Sequence, residues 1–252
     1  MDSQNTQIPS YITWKLKHYQ KTMNWNCGLS CVIMCLDDQL RYELLKDTPK
    51  LCIEKGCCNS AWMIELCYLI KKRAPHISFH FTTIRCIERC VDTDYESEKF
   101  YSPILTEDIQ RINNLFKESA QNGIKVDKRS VSIFDLINHV ATKGVCIVLT
   151  NANILSCDIC ENHSGVGKKT RYASNVVKYL CCSTIPSYQG HYVVVCGYRL
   201  KEKKIIYRNP TYSDRECVTS FENFDDARTS YGTDEDVVFI DLDVTGQNVG
   251  RE

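Results

Sequence analysis

The sequence predicts a single α+β domain in which helices pack on a mostly antiparallel β-sheet. Several segments carry apolar residues at helical spacing, others alternate or run continuously as strands do, and no linker rich in Pro, Gly or Ser divides the chain. At 252 residues the chain is long enough to bury a sizeable core. We therefore assign 11–244 to one domain, with an N-terminal tail at 1–10 and a C-terminal tail at 245–252.

The N-terminal half is predicted to be mostly helical. A partly alternating stretch at 11–19 predicts the first strand, and the apolar residues after Cys27 keep helical spacing as far as Leu40. Asp37 and Asp38 are interpreted as a solvated surface at the end of this helix rather than as metal ligands. The next predicted elements are, in order, a helix capped by Ser60, a strand over 76–85, and helices over 107–122 and 133–142.

The C-terminal half is predicted to supply most of the sheet. An uninterrupted run of β-branched residues at 145–150 is typical of a buried strand. Two further strands, 190–198 and 204–210, flank a short polar turn, which indicates an antiparallel hairpin. The remaining predicted elements are a cysteine-rich insertion at 151–190, a helix within 217–229 and a last strand over 237–242.

Composition excludes several classes of protein. The formal net charge is zero, with 31 basic and 31 acidic residues, whereas general nucleic-acid binders are normally basic. The N-terminus is polar and no run approaches the roughly 18 apolar residues of a membrane span, so we expect neither a signal peptide nor a membrane segment. Sixteen cysteines are many for this length, and many lie within predicted helices and strands. We therefore expect reduced thiols in a cytoplasmic or nuclear protein.

Cys27 is the strongest candidate nucleophile. It stands where a loop gives way to the first predicted helix, so unpaired backbone N–H groups and the positive end of the helix dipole favour its thiolate. Gly28 leaves the space beside the sulfur open. Gln20 can fold back, so that its amide and the Cys27 N–H donate to an oxyanion. The alternative is that Cys27 is a buried small apolar residue, as most free cysteines are.

A candidate base and its orienting group lie in the predicted hairpin. Its register places His191 opposite Pro210, with Asn209 as the diagonal neighbour of His191. An imidazole and an amide carbonyl therefore meet at one end of the hairpin. Together with Cys27 they form a candidate catalytic triad. The alternative is an ordinary core histidine at the start of a strand.

The same residues resemble two known families. Gln20, followed by the block Asn26, Cys27 and Gly28 and much later by His191, resembles the papain-like peptidases that process bacteriocin leaders, although those usually have Asp in place of Asn26. A eukaryotic family named for a guanylyl cyclase domain is more similar. The resemblance covers nearly the whole chain and is carried by the blocks at 25–29, 188–191, 209–210 and 227–236. It implies a papain-like fold and, by the second family's name, conversion of GTP to cyclic GMP.

The insertion at 151–190 contains two pairs of cysteines. Four thiolates can satisfy a tetrahedral zinc ion, so we predict a structural zinc site bound by Cys157, Cys160, Cys181 and Cys182. The second pair is adjacent rather than spaced by two residues, and the chain between the pairs is basic and loop-like. Exposed, reduced thiols without a metal are therefore the alternative.

Three functions follow from these residues. The first is a papain-like cysteine hydrolase that cleaves a peptide or isopeptide bond of a protein or peptide substrate without a cofactor. In it Cys27 attacks the carbonyl, His191 transfers the proton and Asn209 fixes the imidazole, while Gln20 stabilises the oxyanion. The second is a guanylyl cyclase, which needs Mg²⁺, GTP and a carboxylate pair that the sequence does not clearly offer. The third is a papain-fold interaction module with an idle site.

Overall fold

The computed structural model describes residues 8–23, 26–54, 62–85, 102–163, 188–242 and 249–251. Within these residues helices and strands are mixed, which confirms the predicted α+β class. The helices are α1 (Cys27–Cys35), α2 (Asp38–Glu54), α3 (Met63–Arg73), α4 (Ser102–Glu118), α5 (Ile133–Thr142), α6 (Asp158–His163) and α7 (Phe221–Arg228). The strands are β1 (Tyr11–Trp14), β2 (Phe79–Thr83), β3 (Val126–Lys128), β4 (Gly144–Asn151), β5 (Gly190–Arg199), β6 (Lys204–Arg208), β7 (Glu216–Ser220), β8 (Val237–Asp241) and β9 (Val249–Arg251).

The described strands form one sheet with β5 near its centre. The sheet order is β3-β2-β8-β4-β5-β1-β9, with β6 and then β7 attached through β5. Among the described pairs only β2 and β3 run parallel, so the sheet is mostly antiparallel, as predicted. All of β4 and most of β5 are buried. Their β-branched residues suit strands that are covered on both faces.

Two groups of helices cover the sheet. α1 packs on β5 and contacts α2 and α3, and α3 also contacts β8. α5 packs on β4 and β5, while α7 contacts β4, β6 and β7. Every residue of α1 is buried, so α1 is a core helix with Cys27 at its first position. The predicted packing of the cysteine helix on a mostly antiparallel sheet is therefore present.

The first helix is shorter than predicted. α1 ends at Cys35, and Leu36 is extended, with φ −92° and ψ 151°. A second helix then begins, because the Asp37 carboxylate accepts a hydrogen bond from the Leu40 backbone N–H at 2.9 Å. Asp37 therefore caps the start of α2, whereas its sequence position was interpreted as the end of the preceding helix.

The predicted hairpin of β5 and β6 contains one additional residue. The two strands pair antiparallel, and their register shifts between Val195 and Gly197, which is a β-bulge. On the far side of the bulge Val194 lies opposite Arg208. The bulge therefore changes which residues of β5 face the end of β6.

The C-terminal segment contributes a strand. β9 lies within 245–252, which the sequence assigned to a tail, and it pairs antiparallel with β1, with Gly250 opposite Thr13. Thr13 also lies opposite Gly197 on β5. β9 thus covers an edge of β1 whose backbone groups would otherwise lack strand partners.

The cysteines that the structure describes are free thiols. Nine of their side chains are described, and none of the nine forms a disulfide. In the parts of the chain that are described, no helix is both long enough and apolar enough to span a bilayer.

We predict that Gly197→Ala destabilises the fold by about 1–3 kcal/mol, since overpacking a dense interior forces the backbone apart. A Cβ at Gly197 would lie 2.4 Å from the Ile12 carbonyl oxygen and 3.0 Å from the Thr13 Cα. Gly250→Ala is the matched control, because its Cβ would meet only the Thr13 side chain at 3.4 Å and the Thr13 carbonyl at 3.8 Å. Urea unfolding of both variants measures the difference, and equal losses would contradict the prediction.

Candidate active site and thiol cluster

His191 and Asn209 form a hydrogen-bonded pair. His191 Nε2 lies 2.9 Å from Asn209 Oδ1, and the two residues are 7% and 8% exposed. His191 is the second residue of β5, and Asn209 directly follows β6. The structure therefore brings together the two hairpin residues that the sequence singled out.

The β-bulge explains why Asn209 reaches His191. Continuing the register observed beyond the bulge by one residue sets Asn209 opposite Val193, and residues two apart on a strand share a face. Asn209 and His191 are therefore on the same face. The predicted register, with His191 opposite Pro210, is wrong by one residue. Next to the turn, where Arg199 lies opposite Lys204, the register differs from the predicted one by two residues, and the bulge takes back one of the two.

A second hydrogen bond fixes the polarity of this pair. The Thr211 backbone N–H donates to Asn209 Oδ1 at 2.9 Å. A backbone N–H is always a donor, so the Asn209 atom that faces His191 is the carbonyl oxygen. That oxygen can only accept, so His191 Nε2 carries the proton. The neutral imidazole then has its lone pair on Nδ1, which is the atom that can act as a base.

The surroundings keep the imidazole neutral. Burial lowers the pKa of His191 below its ordinary value, and the nearby charge of Lys21 lowers it further. The hydrogen bond to Asn209 opposes this shift and raises the pKa, but the net direction is downward. His191 is therefore suited to accepting a proton near neutral pH.

Cys27 occupies the first position of α1, where backbone donors are unpaired. The side chain of Asn26 does not cap the helix. It turns back into the preceding loop instead, where it accepts from the Met23 N–H at 3.4 Å and donates to the Thr22 hydroxyl at 3.1 Å. The Asn26 carbonyl accepts from the Ser30 N–H at 2.9 Å. The first-turn N–H groups beside the Cys27 sulfur are thus left without a side-chain acceptor.

Close packing places the start of α1 against β5. A Cβ on Gly28 would lie 2.8 Å from Leu66 Cδ1 and 3.1 Å from Tyr192 Cδ2, so a larger residue here would require these side chains to shift. Tyr192 is the neighbour of His191 on β5, and Cys27 is among the groups that raise the pKa of Tyr192, after burial and Asp236. The cysteine and histidine segments therefore lie in contact. Cys27 itself is 7% exposed.

Gln20, in the segment before Cys27, contacts the loop that follows Asn209. Its amide donates to the Thr211 carbonyl at 3.3 Å, and its side chain is exposed. The backbone N–H of Lys21 donates to the Pro210 carbonyl at 2.8 Å. Gln20 is thus near the histidine and asparagine, but in this conformation its amide is engaged with a carbonyl.

Two residues near the site were missed by the sequence analysis. Lys21 supplies the positive charge beside His191, and Tyr192 fills the space between α1 and β5. Neither belongs to a recognisable spacing pattern, because both reach the site through folding. A lysine adjacent to Gln20 and a tyrosine adjacent to His191 were the only available signals.

Three thiols form a separate group, which we call the thiol cluster: Cys157, Cys160 and Cys217. Their sulfur atoms all lie within 4.8 Å of one another. The hydrogen bond from the Cys217 thiol is the main cause that lowers the pKa of Cys157 to about 5. The sequence predicted the first two residues but missed Cys217. Cys181 and Cys182, the other two predicted ligands, lie outside the described residues.

The acidic triplet at 234–236 forms a turn before β8. Asp234 and Glu235 have φ of 49° and 50°, and Asp234 Oδ2 lies 3.8 Å from Arg85 Nη1. Asp236 is 6% exposed, and burial raises the pKa of its carboxyl well above the ordinary range. A carboxyl whose charged form is disfavoured by burial, close to one that is paired with arginine, is poorly suited to bind Mg²⁺.

Comparison with known proteins identifies the family. The family model described as guanylylate cyclase matches residues 16–240. A relative from Arabidopsis thaliana named guanylyl cyclase 1 is 29% identical over 237 residues, covering 94% of this chain and 79% of the relative. Among solved structures, a C39-like peptidase from Bacillus anthracis matches 92% of this chain and 98% of its own, with a TM-score of 0.45 and 14% identity. Because the family match extends over most of the sequence, this chain belongs to the guanylylate cyclase family.

Proposed function

We propose that this chain is a papain-like cysteine hydrolase that cleaves a peptide or isopeptide bond in a protein or peptide substrate. The observation that carries the proposal is the buried hydrogen bond of 2.9 Å from His191 to Asn209, whose polarity leaves the basic lone pair on His191 Nδ1. Cysteine hydrolases need an imidazole held in one tautomer by a neighbouring acceptor. A histidine with a merely structural role has no need of a second donor that fixes the orientation of its amide partner.

In the proposed reaction Cys27 is the nucleophile. Its sulfur bonds to the substrate carbonyl carbon while its proton passes to His191 Nδ1. The tetrahedral intermediate then collapses, the C–N bond breaks, and His191 returns the proton to the departing amine. A water molecule, deprotonated by His191, hydrolyses the thioester and restores the free thiol.

The oxyanion would be stabilised by the start of α1. The Asn26 side chain does not cap α1, and the Cys27 backbone N–H lies at the positive end of this helix. Gln20 remains our proposed second donor. Its hydrogen bond to the Thr211 carbonyl is long, at 3.3 Å, and exposed, so exchanging this partner for an oxyanion costs little.

Guanylyl cyclase activity is the second candidate, favoured by the family and by the name of the Arabidopsis relative. Such a reaction needs GTP and metal-bound carboxylates. In the described parts of the chain, the metal-binding side chains that come together in a group of three are thiols. Of the acidic triplet, Asp236 is buried and Asp234 is paired with Arg85. We therefore favour the hydrolase. An interaction module with an idle site remains the non-enzymatic alternative.

We predict that an iodoacetamide-type electrophile modifies Cys27 faster than the other buried thiols of α1, because the proposed site sets both His191 and the start of α1 beside the Cys27 thiol. His191→Ala should slow the modification by about a hundredfold, and Asn209→Ala by about tenfold. Time-resolved peptide mass spectrometry measures each rate. Cys31, one turn further along α1 and raised in pKa by burial, is the internal reference.

The matched control for this experiment is His76→Ala, which removes an exposed imidazole that is not part of the proposed site. Its labelling rate should equal that of the unmodified chain. Equal labelling of Cys27 and the other buried thiols of α1, or a rate that survives His191→Ala, would reject the proposed nucleophile and favour the idle module.

We also predict that Lys21→Ala raises the pKa of His191. Lys21 disfavours the imidazolium, so removing its charge should stabilise the protonated ring and move its titration to higher pH. NMR titration of the ring in a Cys27→Ser background measures this, because the background removes coupling to the thiol. Lys21→Arg keeps the charge and should leave the titration unchanged. An unaltered midpoint in Lys21→Ala would show that the charge does not act on the ring.

A further assay separates the two enzymatic candidates. We expect the purified chain, supplied with Mg²⁺ and GTP, to form no more cyclic GMP than a heat-inactivated sample, because the residues that the structure describes offer no suitable carboxylate pair. Chromatography with mass detection measures the product. Magnesium-dependent cyclic GMP that persists in Cys27→Ser would support the cyclase and contradict the hydrolase.

A further inference from the structure

The thiol cluster has the dimensions of a metal site. Cys160 and Cys217 sulfurs are 3.8 Å apart, and all three sulfurs lie within 4.8 Å of one another. Tetrahedral zinc with Zn–S bonds of about 2.3 Å holds its sulfur ligands about 3.8 Å apart. We infer that Cys157, Cys160 and Cys217 form a structural site for a thiophilic divalent cation, Zn²⁺ by preference. This site is distinct from the proposed catalytic residues.

The segment that carries Cys157 is held in position by neighbouring elements. The Ser156 N–H donates to Asn223 Oδ1 at 2.9 Å, and Asn223 Nδ2 donates to the Ile154 carbonyl at 3.0 Å. The Tyr207 hydroxyl donates to the Ser156 carbonyl at 3.0 Å. Ligands fixed in this way need little rearrangement to bind a metal, which favours tight binding.

The environment of the sulfurs suits thiolates that bind a metal. Backbone N–H groups of Cys160 and Val218 hydrogen-bond to the Cys157 sulfur. Such outer hydrogen bonds orient metal-binding thiolates. The Arg215 guanidinium stacks on the Tyr212 ring, with its Cζ 4.2 Å from the ring centroid. The positive charge of Arg215 also acts on the Cys160 thiol. Three thiolates and one dication carry a net charge of −1, which Arg215 offsets.

A disulfide does not account for the cluster. The Cys160 to Cys217 separation of 3.8 Å is far above the S–S bond length of about 2.05 Å, and a bonded pair would leave Cys157 without a role. Metal binding uses all three sulfurs, and each protonated thiol releases its proton to solvent as its bond to the metal forms. No oxidant is required.

Metal binding would link two elements of the fold. Cys157 directly precedes α6 and Cys160 lies in its first turn, whereas Cys217 lies on β7. Tyr212, next to Arg215 and the cluster, donates its backbone N–H to the Asn209 carbonyl at 3.2 Å. The metal would therefore hold α6 on the sheet and brace the loop that follows β6.

The test measures zinc in the full chain, produced in zinc-supplemented medium and purified without a chelator. Elemental analysis should find one zinc per chain, and competition with a chromophoric chelator gives the affinity. We expect Cys160→Ser and Cys217→Ser each to weaken zinc binding by at least about tenfold. Circular dichroism shows whether the variants fold. If Cys217→Ser does not fold, the Cys160→Ser variant decides the outcome, because Cys160 is partly exposed and its substitution disturbs the core less.

The control is Cys196→Ser, which removes a buried thiol outside the cluster. The Cys196 thiol bonds to the Ile206 carbonyl at 3.7 Å, a bond that a serine hydroxyl can replace. This variant should keep its full zinc content. Less than about a tenth of an equivalent of zinc in the unmodified chain would overturn the inference. Zinc that persists in both cluster variants, or a Cys160–Cys217 disulfide in the purified chain, would overturn it equally.

Discussion

The hydrogen bond between His191 and Asn209 depends on one extra residue in β5. Tyr198 lies opposite Ile205, and without the bulge that register would continue with Asn209 opposite Val194. Residues 191 and 194 point to opposite faces of a strand, so the amide would face away from the imidazole. The bulge reverses this relation. A local irregularity of the backbone, rather than any contact at the site, thus determines whether the pair can form.

Sequence patterns predicted the class of the fold and the meeting of the hairpin ends, but not the details that position them. Helical spacing is a signal of one apolar face, and α1 is buried on every side. The apolar residues up to Leu40 therefore carried no information about where the helix ends. The end is set by Leu36 and by the cap that Asp37 provides for α2. The bulge could not be predicted from the sequence, because a glycine within a strand, such as Gly197, does not by itself indicate a bulge.

The thiol cluster is a second case in which sequence patterns predicted only part of a site. Two cysteines spaced by three positions identify a ligand pair from the sequence alone, but Cys217 lies 57 positions after Cys160 and has no local signature. It joins them because β7 pairs with β6 beside α6. The acidic triplet is the opposite case. The spacing of Asp234 and Asp236 in the sequence is compatible with a pair of metal-binding carboxylates, but in the fold Asp234 pairs with Arg85 and Asp236 is buried.

The segment before Cys27 is tied to the loop after Asn209 at three successive positions. The His18 ring contacts the Tyr212 carbonyl at 2.9 Å, and the Gln20 amide and Lys21 N–H bond to the two preceding carbonyls of the same loop. These hydrogen bonds join two segments that lie almost 200 positions apart in the sequence. A shift of either segment would therefore break these hydrogen bonds or move the other segment with it. The segment that leads to Cys27 and the loop that follows Asn209 therefore hold each other in position. Transferring the site to another protein would require transferring both segments together.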